Sequence, residues 1–330
     1  MKKEKITIII PCYNAERYIM RCFESIHRQT YGFDYLDVIF VDDLSDDNTF
    51  SIVDSLQKKY PANVTAVKLN KKGLSGGARN LGMNLCTGSY LTFLDADDYL
   101  HPEMLNILYD KITKDSSDIV QCMALAGSCD FPDFPSKQIC PDETLSLDDA
   151  DNRKNLIIQC TAEYNMCAWG KLFSTSFLKN NNIRLLENMY FEDNHFSLLC
   201  ILLAHKYSIV GKQLIYYYNN ISSITHTSLS SDKIFQLSLS MDILIQEISD
   251  RGLNEFVTSK YYHEIQVFLF WKKYIEPLEL LKKIYNEKKQ SFRQQFLLDY
   301  HDINISDNPY ILGIKNDTIY ELIDFLINGE

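Results

Sequence analysis

Three apolar runs in the first hundred residues each stop abruptly in a polar group, and this repetition constrains the fold more than any other feature. Ile6–Ile10 ends in Pro11-Cys-Tyr-Asn14, Leu36–Val41 in Asp42-Asp43, and Tyr90–Leu94 in Asp95-Ala-Asp-Asp98. Continuous apolar runs of this kind are strands buried on both faces. Helical patterns lie between them. Asn14 opens a segment with Ile19, Cys22, Phe23 and Ile26 at helical spacing, and a helix from Thr49 to about Lys59 follows the turn-forming loop Asp42–Asn48. Val64–Leu69 is a further strand; Gly73–Gly77 reads as a flexible loop and Ala78–Cys86 as a short helix. Pro102 opens the next helix and Asp118–Met123 is strand again. Such alternation predicts an α/β fold with a mainly parallel, Rossmann-like sheet and helices on both faces.

The second half is less regular. Gly127–Asp151 reads as a loop-rich excursion, Asn181–Phe196 leads polar residues into a helix over Phe196–Ala204, and Lys212–Asn219 is a late strand. From Asp232 the pattern turns helical. Ile234, Leu237, Met241, Leu244 and Ile248 mark one helix, Phe256, Tyr261, Ile265 and Phe268 another, and Leu278–Asp299 and Asp317–Asn328 complete the tail. The expected division is 1–230 for an α/β domain and 231–330 for an all-helical C-terminal region.

Composition narrows the class. The chain has 330 residues, 33 basic against 44 acidic, a net charge of −11, and no long basic run, which argues against nucleic acid as a partner. Nine scattered cysteines without a C-x-x-C pair suit a reducing, cytoplasmic setting and argue against a zinc site. The N-terminal apolar stretch is too short for a signal peptide, and no stretch approaches the roughly 20 residues of a membrane helix. Peripheral membrane contact is left open.

In open α/β sheets ligands bind beyond the carboxyl ends of the strands. The three polar run-ends share that edge and suit a nucleotide with a hard cation: Tyr13 to stack on a base, Asp42 to accept its imide proton, and Asp97 to hold Mg²⁺ or Mn²⁺. The bare D-x-D pattern also arises by chance, and Asp149-Ala-Asp151 is a second copy, read as a surface turn or helix start because no buried strand precedes it. Gly76-Gly-Ala-Arg-Asn80 lacks the ending of a Walker loop, and no G-x-G-x-x-G occurs. A glycine pair leading into a helix can still approach a phosphate closely. Phe191-Glu-Asp-Asn-His195 reads, from the residues alone, as an acidic cap on the helix that follows.

Taken together, Ile6–Asn14, Ile39–Asp43 with Ser45, Asp47 and Thr49, Gly77–Asn80 with Gly82, and Gly88–Asp98 resemble, in order and spacing, the family 2 glycosyltransferases of the GT-A fold. A weaker match continues through Trp169–Phe173, Glu192-Asp193 and Tyr217–Ile224. The resemblance implies a nucleotide pocket lined by Pro11, Tyr13 and Asn14, with Asp42 on the base and Arg79 near base or phosphate. It places Asp95 by the ribose or metal, Ala96 at the nucleotide and Asp97 on the metal. Asp193 would be the catalytic base with Glu192 beside it, while Asp98, Trp169, Ser223 and His226 would serve the sugar, acceptor or diphosphate. Many relatives carry an arginine after the late-strand tyrosine; here Asn219 stands there, and Lys171, Lys212 or His226 are the candidate substitutes. The implied function is inverting, metal-assisted transfer of one sugar, of the hexosyl or hexosaminyl type, from a UDP-sugar to a hydroxyl of a glycan, lipid-linked saccharide or cell-surface polysaccharide. The helical C-terminus is left for acceptor, partner or oligomer contacts. The rival readings are a sugar-nucleotide nucleotidyltransferase and a non-catalytic sugar-nucleotide binder.

Overall fold

In the computed structural model, which describes residues 3–128, 136–162, 166–219 and 231–253, the first apolar run is strand β1 (Ile6–Cys12). Helix α1 (Ile19–His27) buries Ile19, Cys22, Phe23 and Ile26, the four residues expected to face the core. Strand β2 (Leu36–Asp42), helix α2 (Thr49–Lys59) and strand β3 (Val64–Lys68) follow as read from the sequence. Next come helix α3 (Leu74–Leu85), β4 (Tyr90–Phe93), the two-residue β5 (Tyr99–Leu100), α4 (Met104–Asp115) and β6 (Ile119–Gly127). Then come β7 (Glu143–Ser146), α5 (Ala150–Ala162), β8 (Lys171–Ser174), α6 (Thr175–Asn180), α7 (Glu192–Leu203) and β9 (Lys206–Tyr218). The chain divides into two units, Met1–His226 and Thr227–Glu330. Of the second, α8 (Ser231–Asp250) is described, with Met241, Leu244 and Ile248 buried. The helices expected after it lie outside the described residues.

The first unit is built on a sheet of nine strands among the described residues, in the order β3-β2-β1-β4-β8-β6-β9-β5, with β7 on β9. The half β3-β2-β1-β4 is parallel, with Ile9 opposite both Ile39 and Phe93. Beyond β4 the sheet is mixed. β8 enters antiparallel between β4 and β6, and β9 runs parallel to β6 but antiparallel to β5 and β7. The strand β8 and the two-residue β5 are too short for periodicity to show them. Pro11 is tolerated in β1 because it stands past Ile9, the last residue paired with β4, where no ladder bond on that side is lost.

Two boundaries differ from the sequence reading. The expected flexible loop Gly73–Gly77 is largely the first turn of α3. A distant carboxylate starts that helix: Asp43 accepts the Gly73 N–H at Oδ1 (2.8 Å) and the Leu74 N–H at Oδ2 (3.0 Å), satisfying two otherwise orphaned donors. Likewise, the helix expected from Phe196 begins at Glu192, after Phe191 adopts a left-handed conformation (φ 63°). The presumed excursion Gly127–Asp151 contains β7 and leads into α5, whose first N–H groups, of Asp151 and Asn152, are capped by Asp149 Oδ1. The second D-x-D is therefore a helix start, as expected.

None of the eight cysteines among the described residues forms a disulfide. Burial pushes the Cys12, Cys22 and Cys167 thiols well above their ordinary value, which leaves them as small apolar fillers. No helix among the described residues is long and apolar enough to cross a membrane.

Candidate active site

The polar ends of β1 and β2 are stitched into one rim. Asn14 sits in the left-handed region (φ 49°); its N–H donates to Ser45 Oγ at 3.0 Å, and its Oδ1 accepts from Asp46 N–H at 2.9 Å. Ala15 N–H donates to Thr49 Oγ1 (2.7 Å), and Glu16 N–H to Asp47 Oδ2 (3.1 Å). Ser45, Asp47 and Thr49 are thus backbone fasteners. Their effect is to hold Tyr13 outward: the residue is 45% exposed, with Lys72 Nζ 3.6 Å from its ring centroid. Next to it Asp42 is fully buried. Its Oδ2 accepts Ser45 N–H at 3.2 Å and lies 3.4 Å from Lys68 Nζ, while Oδ1 has no hydrogen-bond partner among the described residues. A buried acceptor without a donor is costly unless something supplies one. An imide N–H is such a donor.

Helix α3 carries the centre of the site. Arg79 is 2% exposed, and its guanidinium is divided among three carboxylates. Nη2 donates to Asp95 Oδ1 at 2.7 Å, and Nη1 donates to both Glu192 Oε1 (2.7 Å) and Asp193 Oδ1 (3.0 Å). The α3 face around Arg79 fixes this arrangement. Asn80, the next residue, donates to Leu185 O (2.9 Å) and Glu187 Oε1 (3.0 Å) and accepts from Leu185 N–H (3.1 Å). Gly76, one turn before Asn80, admits the Leu186 backbone so closely that a Cβ there would lie 1.9 Å from the Leu186 carbonyl oxygen. These contacts dock the chain before α7 onto α3, so that the first turn of α7 presents its carboxylates to Arg79.

The electrostatics follow from burial against that one cation. Burial lifts the Glu192 carboxyl to about 8, the Asp193 charge adding to the rise and Arg79 opposing it. Asp193 is also raised, by burial first, with Arg79, Lys171 and the Ala168 backbone N–H holding it down. The helix N-terminus favours negative charge at both residues.

At the end of β4 the Asp95–Asp98 loop divides its carboxylates. Asp95 faces Arg79, and Asp97 is half-buried at the rim with its backbone carbonyl accepting from Arg21 Nη2 (2.7 Å). Asp98 is fully buried, its Oδ1 accepting Tyr218 N–H at 2.9 Å and its Oδ2 without a hydrogen-bond partner among the described residues. Burial and the Asp95 and Asp97 charges push the Asp98 carboxyl well up. Among the described residues no group of three or more His, Cys, Asp or Glu side chains could hold a cation unaided. A hard cation at Asp97 would therefore have to take most of its oxygens from a bound ligand and water.

Trp169 is buried and stacked on Tyr217, ring centroids 5.7 Å apart and planes 13° from parallel. Lys171 is a poor substitute for the missing late-strand arginine: it is 3% exposed and donates to Cys167 O at 2.5 Å. Asn219 is exposed just past β9, its N–H on Gly127 O (2.8 Å). Ser223 and His226 lie outside the described residues. The structure thus brings together Tyr13, Asn14 and Asp42 on one rim, and Arg79, Asp95, Glu192 and Asp193 in one cluster. Sequence reasoning gave no role to Asp43, Asn80 or Arg21. Asp43 and Asn80 at least stood inside quoted motifs; Arg21 carried no signal beyond being a cation on a helix.

A model of the family described as Glycosyl transferase family 2 matches residues 7–179. Among curated relatives, the poly(ribitol-phosphate) beta-N-acetylglucosaminyltransferase TarS of Staphylococcus aureus is 28% identical over 215 residues, 64% of this chain and 35% of TarS. The poly(ribitol-phosphate) beta-glucosyltransferase of Bacillus spizizenii is 31% identical over 216 residues, 64% of this chain and 32% of that one. The chain spans about a third of the length of these relatives. Residues 1–349 of TarS in complex with UDP-GlcNAc superpose with a TM-score of 0.62 at 20% identity, covering 98% of this chain and 84% of that one. The mannosyltransferase PcManGT of Pyrobaculum calidifontis, in complex with GDP-Man and Mn²⁺, gives 0.52 at 15% identity, covering 100% and 89%. At these identities the superpositions speak for the fold.

Proposed function

We propose that this chain, which belongs to glycosyl transferase family 2, is a glycosyltransferase that transfers one sugar from a UDP-sugar to a hydroxyl of a cell-surface polysaccharide, inverting the anomeric configuration. The observation that carries this reading is the pairing of two half-sites on adjacent strand ends. One is a nucleotide rim, with the exposed Tyr13 and with Asp42 Oδ1, which has no hydrogen-bond partner among the described residues; the other is a carboxylate cluster around Arg79. The curated relatives named above act on poly(ribitol phosphate), which supports a polyol-phosphate or glycan acceptor. The chain's cysteine usage supports a cytoplasmic site of action.

In this reading Tyr13 stacks on the uracil, Asp42 Oδ1 accepts its imide proton, and Pro11, Asn14 and Ala96 complete the pocket walls. A divalent cation such as Mn²⁺ or Mg²⁺, held by Asp97, would neutralise charge on the departing diphosphate. Asp193 takes the proton of the acceptor hydroxyl at its carboxylate; burial makes it a stronger base than an ordinary aspartate, and Arg79 keeps it ionised and aimed. The freed acceptor oxygen attacks the anomeric carbon from the face opposite the leaving UDP, so the configuration inverts. Trp169, stacked on Tyr217, forms part of the sugar or acceptor wall. Against a nucleotidyltransferase stands the β1 end, where Cys12-Tyr-Asn14 replaces the glycine-rich, lysine-bearing loop that chemistry would use.

The test is ligand-linked stability. UDP with Mn²⁺ should raise the melting temperature, UDP in excess chelator should do so far less, and Asp42→Ala should abolish the UDP effect. Equal shifts from ADP, or an undiminished shift in Asp42→Ala, would overturn the assignment of the base pocket.

A further inference from the structure

Arg21 projects from α1, away from every motif that signals chemistry, yet its guanidinium is built into the acidic loop. It is 9% exposed, and Nη2 donates to the Asp97 carbonyl at 2.7 Å. Its Cζ lies 4.1 Å from the Tyr218 ring centroid, 5.0 Å from that of Tyr99 and 5.7 Å from that of Tyr18. Tyr99 opens β5 directly after the loop, and Tyr218 closes β9, whose last N–H holds Asp98 Oδ1 at 2.9 Å. The loop is therefore clamped twice, through the Asp97 peptide by Arg21 and through the Asp98 carboxylate by β9. A planar guanidinium can donate in its plane while aromatic rings cover its faces; an ammonium cannot do both.

Resting on the reading of Asp97 as the carboxylate for a divalent cation, we propose that Arg21 is a positioning residue that presets Asp97 for that cation. The reason is that the protein offers the ion so few oxygens. With most of the coordination shell left to diphosphate and water, the affinity gained through Asp97 depends on its carboxylate being held in place before the ion arrives. Fixing the Asp97 peptide by its own carbonyl holds the backbone that carries the carboxylate. Tyr99 and Tyr218 hold the guanidinium through their rings.

The experiment titrates Mn²⁺ against the UDP-induced thermal shift of the full chain, with UDP affinity in excess chelator as the second readout. Losing a charge-assisted hydrogen bond should raise the Mn²⁺ midpoint of Arg21→Met by about tenfold or more, with metal-free UDP affinity unchanged. Arg21→Lys, which keeps the charge without the stack, should fall between. Tyr218→Phe should match wild type and Tyr218→Leu should follow Arg21→Met. If Arg21→Met does not fold, Arg21→Lys and Tyr218→Leu decide the matter by the same midpoints. Wild-type midpoints in those variants, with Asp97→Ala having lost its Mn²⁺ dependence, overturn the role of Arg21 alone. Wild-type Mn²⁺ dependence in Asp97→Ala overturns the reading of Asp97 and this proposal with it.

Discussion

Arg79 Nη1 lies 3.0 Å from Asp193 Oδ1, and Nη2 of the same guanidinium lies 2.7 Å from Asp95 Oδ1, so one buried cation joins the proposed base to the acidic loop of the nucleotide side. Removing it should change the chemistry in a readable way. Arg79 lowers the Asp193 carboxyl against the rise from burial. In Arg79→Met that carboxyl moves up further, so more of it is protonated at neutral pH. The acid limb of kcat should shift to higher pH, and the rate at pH 7 should drop by more than tenfold. A pH–rate profile measures both, and an acid limb left in place would show that Arg79 does not act through Asp193.

Glu192 gives a prediction about stability. Burial raises its folded-state carboxyl from the ordinary value of 4.5 to about 8. Between those values the folded chain holds a proton there that the unfolded chain has released, so stability falls as pH rises through the window. Glu192→Gln removes that titration. Denaturant midpoints of wild type and variant, compared from pH 5 to 8.5, should diverge in favour of the variant with increasing pH. Parallel curves would mean that Glu192 ionises normally.

Adjacent glycines on α3 should respond oppositely to alanine. At Gly77 an added Cβ meets only Leu69 Cδ1 at 4.0 Å, and in a helix interior the substitution should stabilise by about 0.5–1 kcal/mol. At Gly76 it would meet the Leu186 carbonyl oxygen at 1.9 Å. Backbone cannot yield as a flexible side chain can, so Gly76→Ala should cost about 1–3 kcal/mol and undock the segment that delivers Glu192 and Asp193 to Arg79. Urea unfolding and transfer activity test the pair together: Gly76→Ala should lose both, and Gly77→Ala neither.

Why the parallel half of the sheet was readable is plain from its residues. Ile6–Ile10, Val38–Val41 and Leu91–Leu94 are buried on both faces, and such strands announce themselves as runs dominated by apolar residues. The mixed half was harder because β5 and β8 are two and four residues long and are defined by partners far away in sequence. The start of α3 was missed for a similar reason: its cap, Asp43, lies 30 residues upstream, whereas sequence signals for caps are local. In the site, residues at strand ends could be placed on one rim by topology alone. Arg79's division among Asp95, Glu192 and Asp193 could not, since those contacts span up to 114 residues and depend on how the chain before α7 docks on Asn80 and Gly76. Glu192 and Asp193 illustrate a further point. They open α7, as the helix-cap reading expects, and they also face Arg79. The two readings describe the same geometry.

That double position bears on which of the pair is the base. Both carboxylates share Arg79 Nη1, but Glu192 is the more deeply buried and is lifted to about 8, which leaves it largely protonated at neutral pH and a poor acceptor of a further proton. Asp193 is partly exposed, held by the Ala168 N–H and Arg79, and still raised above an ordinary aspartate, which suits a group that must be ionised yet basic. Asp193→Asn should therefore bind UDP with Mn²⁺ as wild type does while its transfer rate falls by about 10²–10⁴-fold. Glu192→Gln replaces a largely neutral acid with a neutral amide of the same shape, so most of its activity should survive, with any loss appearing in the acceptor KM. Steady-state transfer assays with calorimetric UDP binding on the same preparations separate the two. Near wild-type turnover in Asp193→Asn would pass the role to Glu192, and a UDP affinity lost along with the rate would place Asp193 in donor binding instead.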